Sequence, residues 1–249
     1  MKCTPIGSRS DGCPERYDCP SLTAHDNNKC YFNGKIYDID QSVPNTEVSP
    51  FCSAFCYCRA ANPVAKFRCV HVDCAEFLQH FDYDNCVRQY ESNQCCSSGK
   101  VCGAARDKLA TCELENEIYK EGQRMYFKDN KCRTCICSAT FNRNATDTDP
   151  NCYDRICGFE LFEEKQLYRG AIPVYKQDIC CPWEWRLPKQ TDSVVKGATG
   201  KPATDPNLQC KYGSLTLNVG DTLNIQQNAA DTKMTCSCQV PPLMQCEME

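Results

Sequence analysis

The sequence predicts a string of small disulfide-rich modules, made mostly of short antiparallel β-strands and loops with little helix, set out as an elongated tandem array. Three observations carry this expectation. The chain of 249 residues holds 25 cysteines, a density at which bridges take over from a large apolar core in secreted chains. Those cysteines recur in one order along the chain. Between them, short runs of aromatic and β-branched residues alternate with Gly, Asn and Asp turn residues.

Modules of about 40 to 80 residues bury too little apolar surface to offset the entropy of ordering the chain, and cross-links that restrict the unfolded state are the usual remedy. A bridge closing a loop of some 20 residues contributes roughly 3 kcal/mol by chain-entropy reckoning. Such bridges persist in oxidising compartments, so cysteine usage points to a secreted, extracellular protein. Met1-Lys2-Cys3-Thr4-Pro5 offers no signal-peptide core, so the N-terminus reads as trimmed or incomplete. No apolar run is long enough for a membrane span. A net charge of -4 and a pI near 5.5 give no basic footprint for nucleic acid. Asn144-Ala145-Thr146 is a glycosylation sequon.

The repeat is read from the cysteines. A first block, residues 30–102, holds Cys30, the cluster Cys52, Cys56 and Cys58, then Cys69, Cys74, Cys86, the doublet Cys95-Cys96, and Cys102. A second block, residues 112–186, repeats the order with Cys112, Cys132, Cys135, Cys137, Cys152, Cys157 and the doublet Cys180-Cys181. A third, residues 209–249, keeps Cys210, Cys236, Cys238 and Cys246, and the interval from Cys210 to Cys236 equals that from Cys30 to Cys56.

This order of a lone cysteine, a CxxCxC cluster, two spaced cysteines, a CC doublet and a closing cysteine resembles the von Willebrand factor type C module, found in tandem in chordin-like, kielin-like and crossveinless-like secreted proteins. The resemblance covers most of the chain and implies a small antiparallel β front half and an irregular back half. It also implies the pairing first with fourth, second with eighth, third with fifth, sixth with ninth and seventh with tenth. In the first block that joins Cys30–Cys58, Cys52–Cys95, Cys56–Cys69, Cys74–Cys96 and Cys86–Cys102. In the second it joins Cys112–Cys137, Cys132–Cys180, Cys135–Cys152 and Cys157–Cys181, and in the third Cys210–Cys238 and Cys236–Cys246. Cysteines whose implied partner is missing are missing too, so no orphan remains in the three blocks.

Residues 1–20 then read as the tail of a preceding module. Cys13 to Cys19 spans the same interval as Cys96 to Cys102, and Cys3 to Gly12 the same as Cys86 to Cys95, which implies Cys3–Cys19 with Gly12 in place of the first doublet cysteine. Cys13 either has its partner before Met1, or is free or bridged to another chain.

Each block opens with a hairpin-like pattern. Cys30 to Tyr37 is the clearest, with Asn33-Gly34 suited to the positive φ angles of a tight type I′ turn. Tyr119 to Phe127 around Gly122 and Leu215 to Ile225 around Gly220-Asp221 are the expected equivalents. Helix is confined to a turn or two near Ala75 to Phe81. Gly103 to Thr111 is the short connection between the first two blocks, and 187–208, rich in Pro, Gly, Thr, Ser and Lys, reads as a flexible linker with almost nothing to bury.

Candidate sites divide by chemistry. Cys132-Arg133-Thr134-Cys135 has half-zinc-site spacing, but no second CxxC or His pair lies at a matching distance, so no metal and no cofactor is expected. Catalysis needs a free thiol or a His on a rigid frame. The chain has three His, and His71 sits in an alternating run typical of an ordinary strand. Gly197 to Lys201 matches a phosphate loop only superficially, because no apolar strand precedes it and Pro202 follows. The chain is therefore not expected to be an enzyme.

The aromatic and apolar residues Phe51, Phe55, Tyr57, Phe77, Leu78, Phe81 and Tyr83 are either the minimal core of the first block or partner-binding residues. Trp183 and Trp185 either stack where the second block lacks its closing bridge or bind a partner. The function expected is that of an extracellular protein-binding protein whose ligand is a growth factor of the bone morphogenetic protein type or a matrix protein. A structural matrix or surface-coat component, in a disulfide-linked or larger assembly, is the alternative. A protease inhibitor ranks third.

Overall fold

A computed structural model describes residues 3–19, 25–78, 81–92, 94–197, 205–225 and 233–248, except for the side chain of Phe77. Short antiparallel strands and loops dominate. Among the described residues helix is limited to single turns: a 3-10 turn at Ala75–Phe77, as expected, and unexpected turns such as Asn45–Val48, Ala104–Asp107, Phe159–Phe162 and Glu164–Tyr168.

The three blocks share one local design that starts at the lone cysteine. Cys30–Phe32 pairs with Lys35–Tyr37, Thr111–Leu114 with Glu117–Lys120, and Gln209–Tyr212 with Leu215–Asn218. Asn33-Gly34 and Glu115-Asn116 have positive φ at both turn positions and Gly213-Ser214 at the first alone, the backbones of type I′ and type II′ hairpins. The hairpins expected around Gly122 and Gly220 are thus displaced toward the N-terminus. In the second block the strand Glu117–Lys120 folds back on Thr111–Leu114, while Arg124–Tyr126 pairs onward with Arg133–Ile136.

Gly122 and Gly220 instead occupy the bend after the hairpin, where Asp40 stands in the first block, and all three have positive φ. The N–H groups of Asp40, Gly122 and Gly220 donate to the carbonyls of Cys58, Cys137 and Cys238 at 2.8, 2.9 and 2.9 Å. Those cysteines return their N–H groups to Gln41, Gln123 and Asp221 at 2.9, 2.8 and 3.1 Å. The same three side chains accept the amides of Asp38, Lys120 and Asn218, so one residue satisfies both sides of the bend. The bridge from lone cysteine to cluster spans 5.7, 5.7 and 5.8 Å between Cα atoms in the three blocks.

By compactness the chain divides into two units that cut across the blocks. One comprises Met1–Gln41, Tyr57–Arg68 and Gly158–Glu249, the other Ser42–Cys56 and Cys69–Cys157.

The first unit is built on a six-stranded sheet in the order Glu184–Arg186, Ile172–Lys176, Leu243–Met248, Met234–Val240, Thr222–Asn224, Ser193–Val195. Ile172–Lys176 runs parallel to Leu243–Met248, and the other neighbouring strands of the sheet pair antiparallel. Its core gathers Ile172, Val174, Tyr212, Leu217, Leu223 and Met244 around Cys210, Cys236, Cys238 and Cys246. Cysteine sulfurs stand in there for the missing aliphatics.

Here the structure corrects the reading of 187–208 as a linker with nothing to bury. Ser193–Val195 is a strand paired with Thr222–Asn224, and Val194 packs on the core. Asp192 is buried and takes both guanidinium nitrogens of Arg186 at 2.9 and 2.5 Å, and Asp221 accepts the Gly197 amide at 3.0 Å. Composition hid this because the partners lie outside the segment. Residues 198–204 lie outside the described part of the chain.

The second unit centres on Leu114, Met125 and Phe127 with Cys112, Cys135 and Cys137. A three-stranded sheet, Arg124–Tyr126, Arg133–Ile136 and Cys152–Asp154, supplies its frame. The hairpin Cys86–Gln89 with Gly99–Cys102 and the 3-10 turn Ala75–Phe77 belong to the same unit.

Candidate functional site

Bridges fix the described positions of the candidate residues. The structure brings together Cys30–Cys58, Cys52–Cys95, Cys56–Cys69, Cys74–Cys96 and Cys86–Cys102. It also joins Cys112–Cys137, Cys135–Cys152, Cys210–Cys238, Cys236–Cys246 and Cys3–Cys19. Cys132, Cys157, Cys180 and Cys181 are disulfide-bonded as well. Cys13 is the one free cysteine among the described residues, and it is exposed. The sulfurs of Cys74, Cys95 and Cys96 lie within 4.8 Å of one another, but each is spent in a disulfide, so none is a thiolate that could hold a metal.

In the second unit, bridges and one carboxylate clamp the first block's back half. Glu76 accepts the Ser97 amide at 2.5 Å and the Tyr90 hydroxyl at 3.0 Å. Burial opposes its charge, but these hydrogen bonds and Arg88 outweigh burial and hold Glu76 below the usual carboxyl range. Arg88 donates to the Glu76 carbonyl at 2.8 Å, and its guanidinium covers the Phe81 ring at 4.2 Å and the Tyr83 ring at 5.5 Å. Phe81 and Tyr83 meet edge to face at 4.7 Å.

On this clamped frame stand apolar side chains in water. Leu78 is 85% exposed, Tyr83 70%, Val70 55% and Phe55 39%. Phe51 and Phe81 are partly buried. Tyr57 is partly buried too, in the first unit. Sequence reasoning singles out Tyr83 beside Leu78 but misses Val70; the run of apolar residues on both sides of Cys74 is the available signal.

The first unit carries a second feature. The helical turns Phe159–Phe162 and Glu164–Tyr168 present Glu160 and Glu164 to backbone amides of the first block. Glu160 accepts from Asn33 at 2.8 Å, in the hairpin turn, and Glu164 from Phe67 at 2.6 Å. Glu164 lines a small apolar cleft with His25, Tyr31, Val64, Leu167 and Tyr168. Burial there pushes its carboxyl up to about 8, against the opposing pull of the Phe67 amide and Lys66. Burial likewise lowers His25, which stacks on Tyr31 at 3.7 Å. With one Glu164 oxygen occupied by a backbone amide, the carboxyl works as a latch between chain segments.

The two indoles take separate partners. Trp185 packs edge to face on Phe159 at 5.2 Å, while Trp183 is 60% exposed with the Lys176 ammonium 5.3 Å from its ring. Asn144 is exposed in the turn Arg143–Ala145, with its amide held by the Asn142 side chain at 2.9 Å. His71 ends the strand Lys66–His71. The stretch resembling a phosphate loop lies, beyond Gly197, outside the described residues.

No helix among the described residues is long and apolar enough to cross a membrane. Comparison of the chain with family models, with curated proteins and with solved structures gave no match.

Proposed function

We propose that the chain is a secreted, extracellular protein-binding protein built of von Willebrand factor type C-like modules, which captures its ligand through the first block. The observation that carries this reading is the exposure of Leu78 and Tyr83 on a stretch held by Cys52–Cys95, Cys74–Cys96 and Cys86–Cys102. Rigid, exposed apolar side chains lose little entropy on binding and are the usual anchors of interfaces. A growth factor of the bone morphogenetic protein type is the first ligand to test, on the resemblance of the cysteine order. The same resemblance pairs Cys132 with Cys180 and Cys157 with Cys181.

The test is surface binding of the purified full chain to such growth factors, with Leu78→Asp and Tyr83→Ser beside it. Saturable binding that weakens at least tenfold in both variants, with unchanged disulfide maps, supports the reading. Binding that neither variant alters moves the interface elsewhere. The exposed thiol of Cys13 favours a second reading, a crosslinked matrix or surface-coat component. Disulfide-linked multimers that vanish in Cys13→Ser, without growth-factor binding, would establish that alternative.

A further inference from the structure

An open groove lies within the second unit. One wall comes from the first block, where Ser49 and Pro50 precede the bridge Cys52–Cys95, and the other is the three-stranded sheet of the second block. Its space, open to solvent, is about 680 Å³, within the roughly 300–1,000 Å³ usual for clefts that seat a ligand. Alternation along the strands decides what faces it. Met125, Cys135 and Cys152 belong to the core side, so Arg124, Tyr126, Thr134 and Tyr153 take the opposite face, the last three in one cross-strand row. Arg155 and Ile156, directly after the strand Cys152–Asp154, complete the lining.

That lining is positive with an apolar rim. Asp154 is the only acid among the described residues that line it, and Arg133 engages its carboxylate at 2.9 Å. Arg124 donates to the carbonyls of Gln94 and Cys95 at 2.7 and 3.0 Å, with its guanidinium 4.0 Å from the Tyr90 ring. These partners carry no charge, and the Arg124 Nε is buried without a hydrogen-bond partner. Tyr126 is 57% exposed and Ile156 60%. The occupant that such a surface selects is a carboxylate beside a branched apolar side chain.

The same unit presents that pair of side chains elsewhere. In the hairpin of Thr111–Leu114 and Glu117–Lys120, Glu113 stands opposite Ile118, on the side away from Cys112, Leu114 and Tyr119, which belong to the core. Glu113 is exposed, and Ile118 is 76% exposed. Directly opposed residues hold their Cβ atoms about 5 Å apart, so carboxylate and isoleucine would enter a site together. Glu115 is tied to Arg143 at 2.8 Å, and Glu117 accepts the Tyr119 hydroxyl at 2.7 Å, which makes Glu113 the acid that the hairpin offers. Cys112–Cys137 anchors its base.

We propose that this hairpin of one copy docks in the groove of a second copy, with Glu113 facing the arginines and Ile118 packed on Tyr126 and Ile156. Groove and hairpin are different surfaces of one chain, so the contact is heterologous and repeats head to tail. It needs neither the thiol of Cys13 nor a ligand held at Leu78 and Tyr83.

Sedimentation velocity on the full chain carrying Cys13→Ser, which removes thiol crosslinking, tests the contact. A single groove makes a weak interface, so concentrations are carried to about 1 mM. The sedimenting mass is expected to rise from the 28.2 kDa of one chain past that of a dimer, and to fall back in high salt. Ile118→Asp spoils the hairpin and spares the groove. Arg155→Glu spoils the groove and spares the hairpin, as does Ile156→Asp with both arginines kept. Each variant alone is expected to self-associate at least tenfold more weakly, with unchanged amide dispersion. An equimolar mixture of Ile118→Asp with either groove variant restores one contact and is expected to stop at a heterodimer. A chain that stays monomeric to the highest concentration, or a mixture no heavier than its components, overturns the proposal. So does a chain that never self-associates but loses growth-factor binding in Arg155→Glu, a result that would give the groove to another protein.

Discussion

Asp40, Gly122 and Gly220 hold the same bend with φ of 67, 86 and 89°, and only the first has a side chain to strain there. A left-handed conformation costs a non-glycine residue on the order of 1 kcal/mol. Asp40→Gly is therefore expected to stabilise the protein by up to about that amount, offset in part by the extra freedom glycine gains when unfolded. Gly122→Ala should do the opposite, since a Cβ is strained at its positive φ and would push aside the end of the Gln89 side chain, which donates to the Glu121 carbonyl at 3.0 Å. Chemical denaturation midpoints of the two variants check both signs. Glu164 gives a prediction in pH. Its carboxyl ionises near 4.5 when exposed and near 8 in the fold, so the stability that the protonated latch contributes is complete below about pH 4.5. That stability is lost as pH rises toward 8. Glu164→Gln keeps an oxygen for the Phe67 amide and cannot ionise. The variant should match the wild type at pH 4.5 and exceed it at pH 8 by an amount on the order of a few kcal/mol, as read from denaturation at both values.

At the scale of elements, the same bends show what a sequence discloses and what it hides. Asn33-Gly34 announces its hairpin because that dipeptide suits both positive φ angles. Glu115-Asn116 makes the same turn without a glycine, and Gly213-Ser214 is overshadowed by the more conspicuous Gly220-Asp221. Counting residues from each lone cysteine finds all three, since Tyr37, Tyr119 and Leu217 fall seven places after Cys30, Cys112 and Cys210. The cysteine order exposes the repeat because a bridge needs both ends, whereas the latch of Glu160 and Glu164 joins residues about a hundred positions apart and leaves no periodic trace. The strand Ser193–Val195 is hidden for a similar reason: its anchor is the pair Arg186–Asp192, covered by the Tyr212 hydroxyl, which lies 2.5 Å from Arg186. Removing one partner of a buried pair strands the other charge. Asp192→Ala is expected to destabilise the protein by roughly 3 kcal/mol and to speed amide exchange in 193–195. A loss within a few tenths of a kcal/mol would show that the segment is held by its strand pairing alone.

For the molecule as a whole, sulfur is part of the interior. Three of the six buried residues in one core are cysteines, and four of the ten in the other. Reduction would therefore do two things at once: release the loops that the bridges close, and leave thiols in contact with few aliphatic neighbours. Loops of 10 to 43 residues contribute about 3 kcal/mol each by chain-entropy reckoning, and domains are stable by only about 5–15 kcal/mol in total. The hydrophobic contacts left in cores this small cannot make up the loss of several bridges. Without reductant, alkylation is expected to modify one cysteine, Cys13, and to leave the dispersion of the amide spectrum unchanged. With excess reductant, dispersion should collapse across both units, and alkylation should reach all 25 cysteines. A spectrum that stayed dispersed after full reduction would mean that the strand pairing and the apolar residues Leu114, Met125, Leu217 and Leu223 suffice to hold the fold.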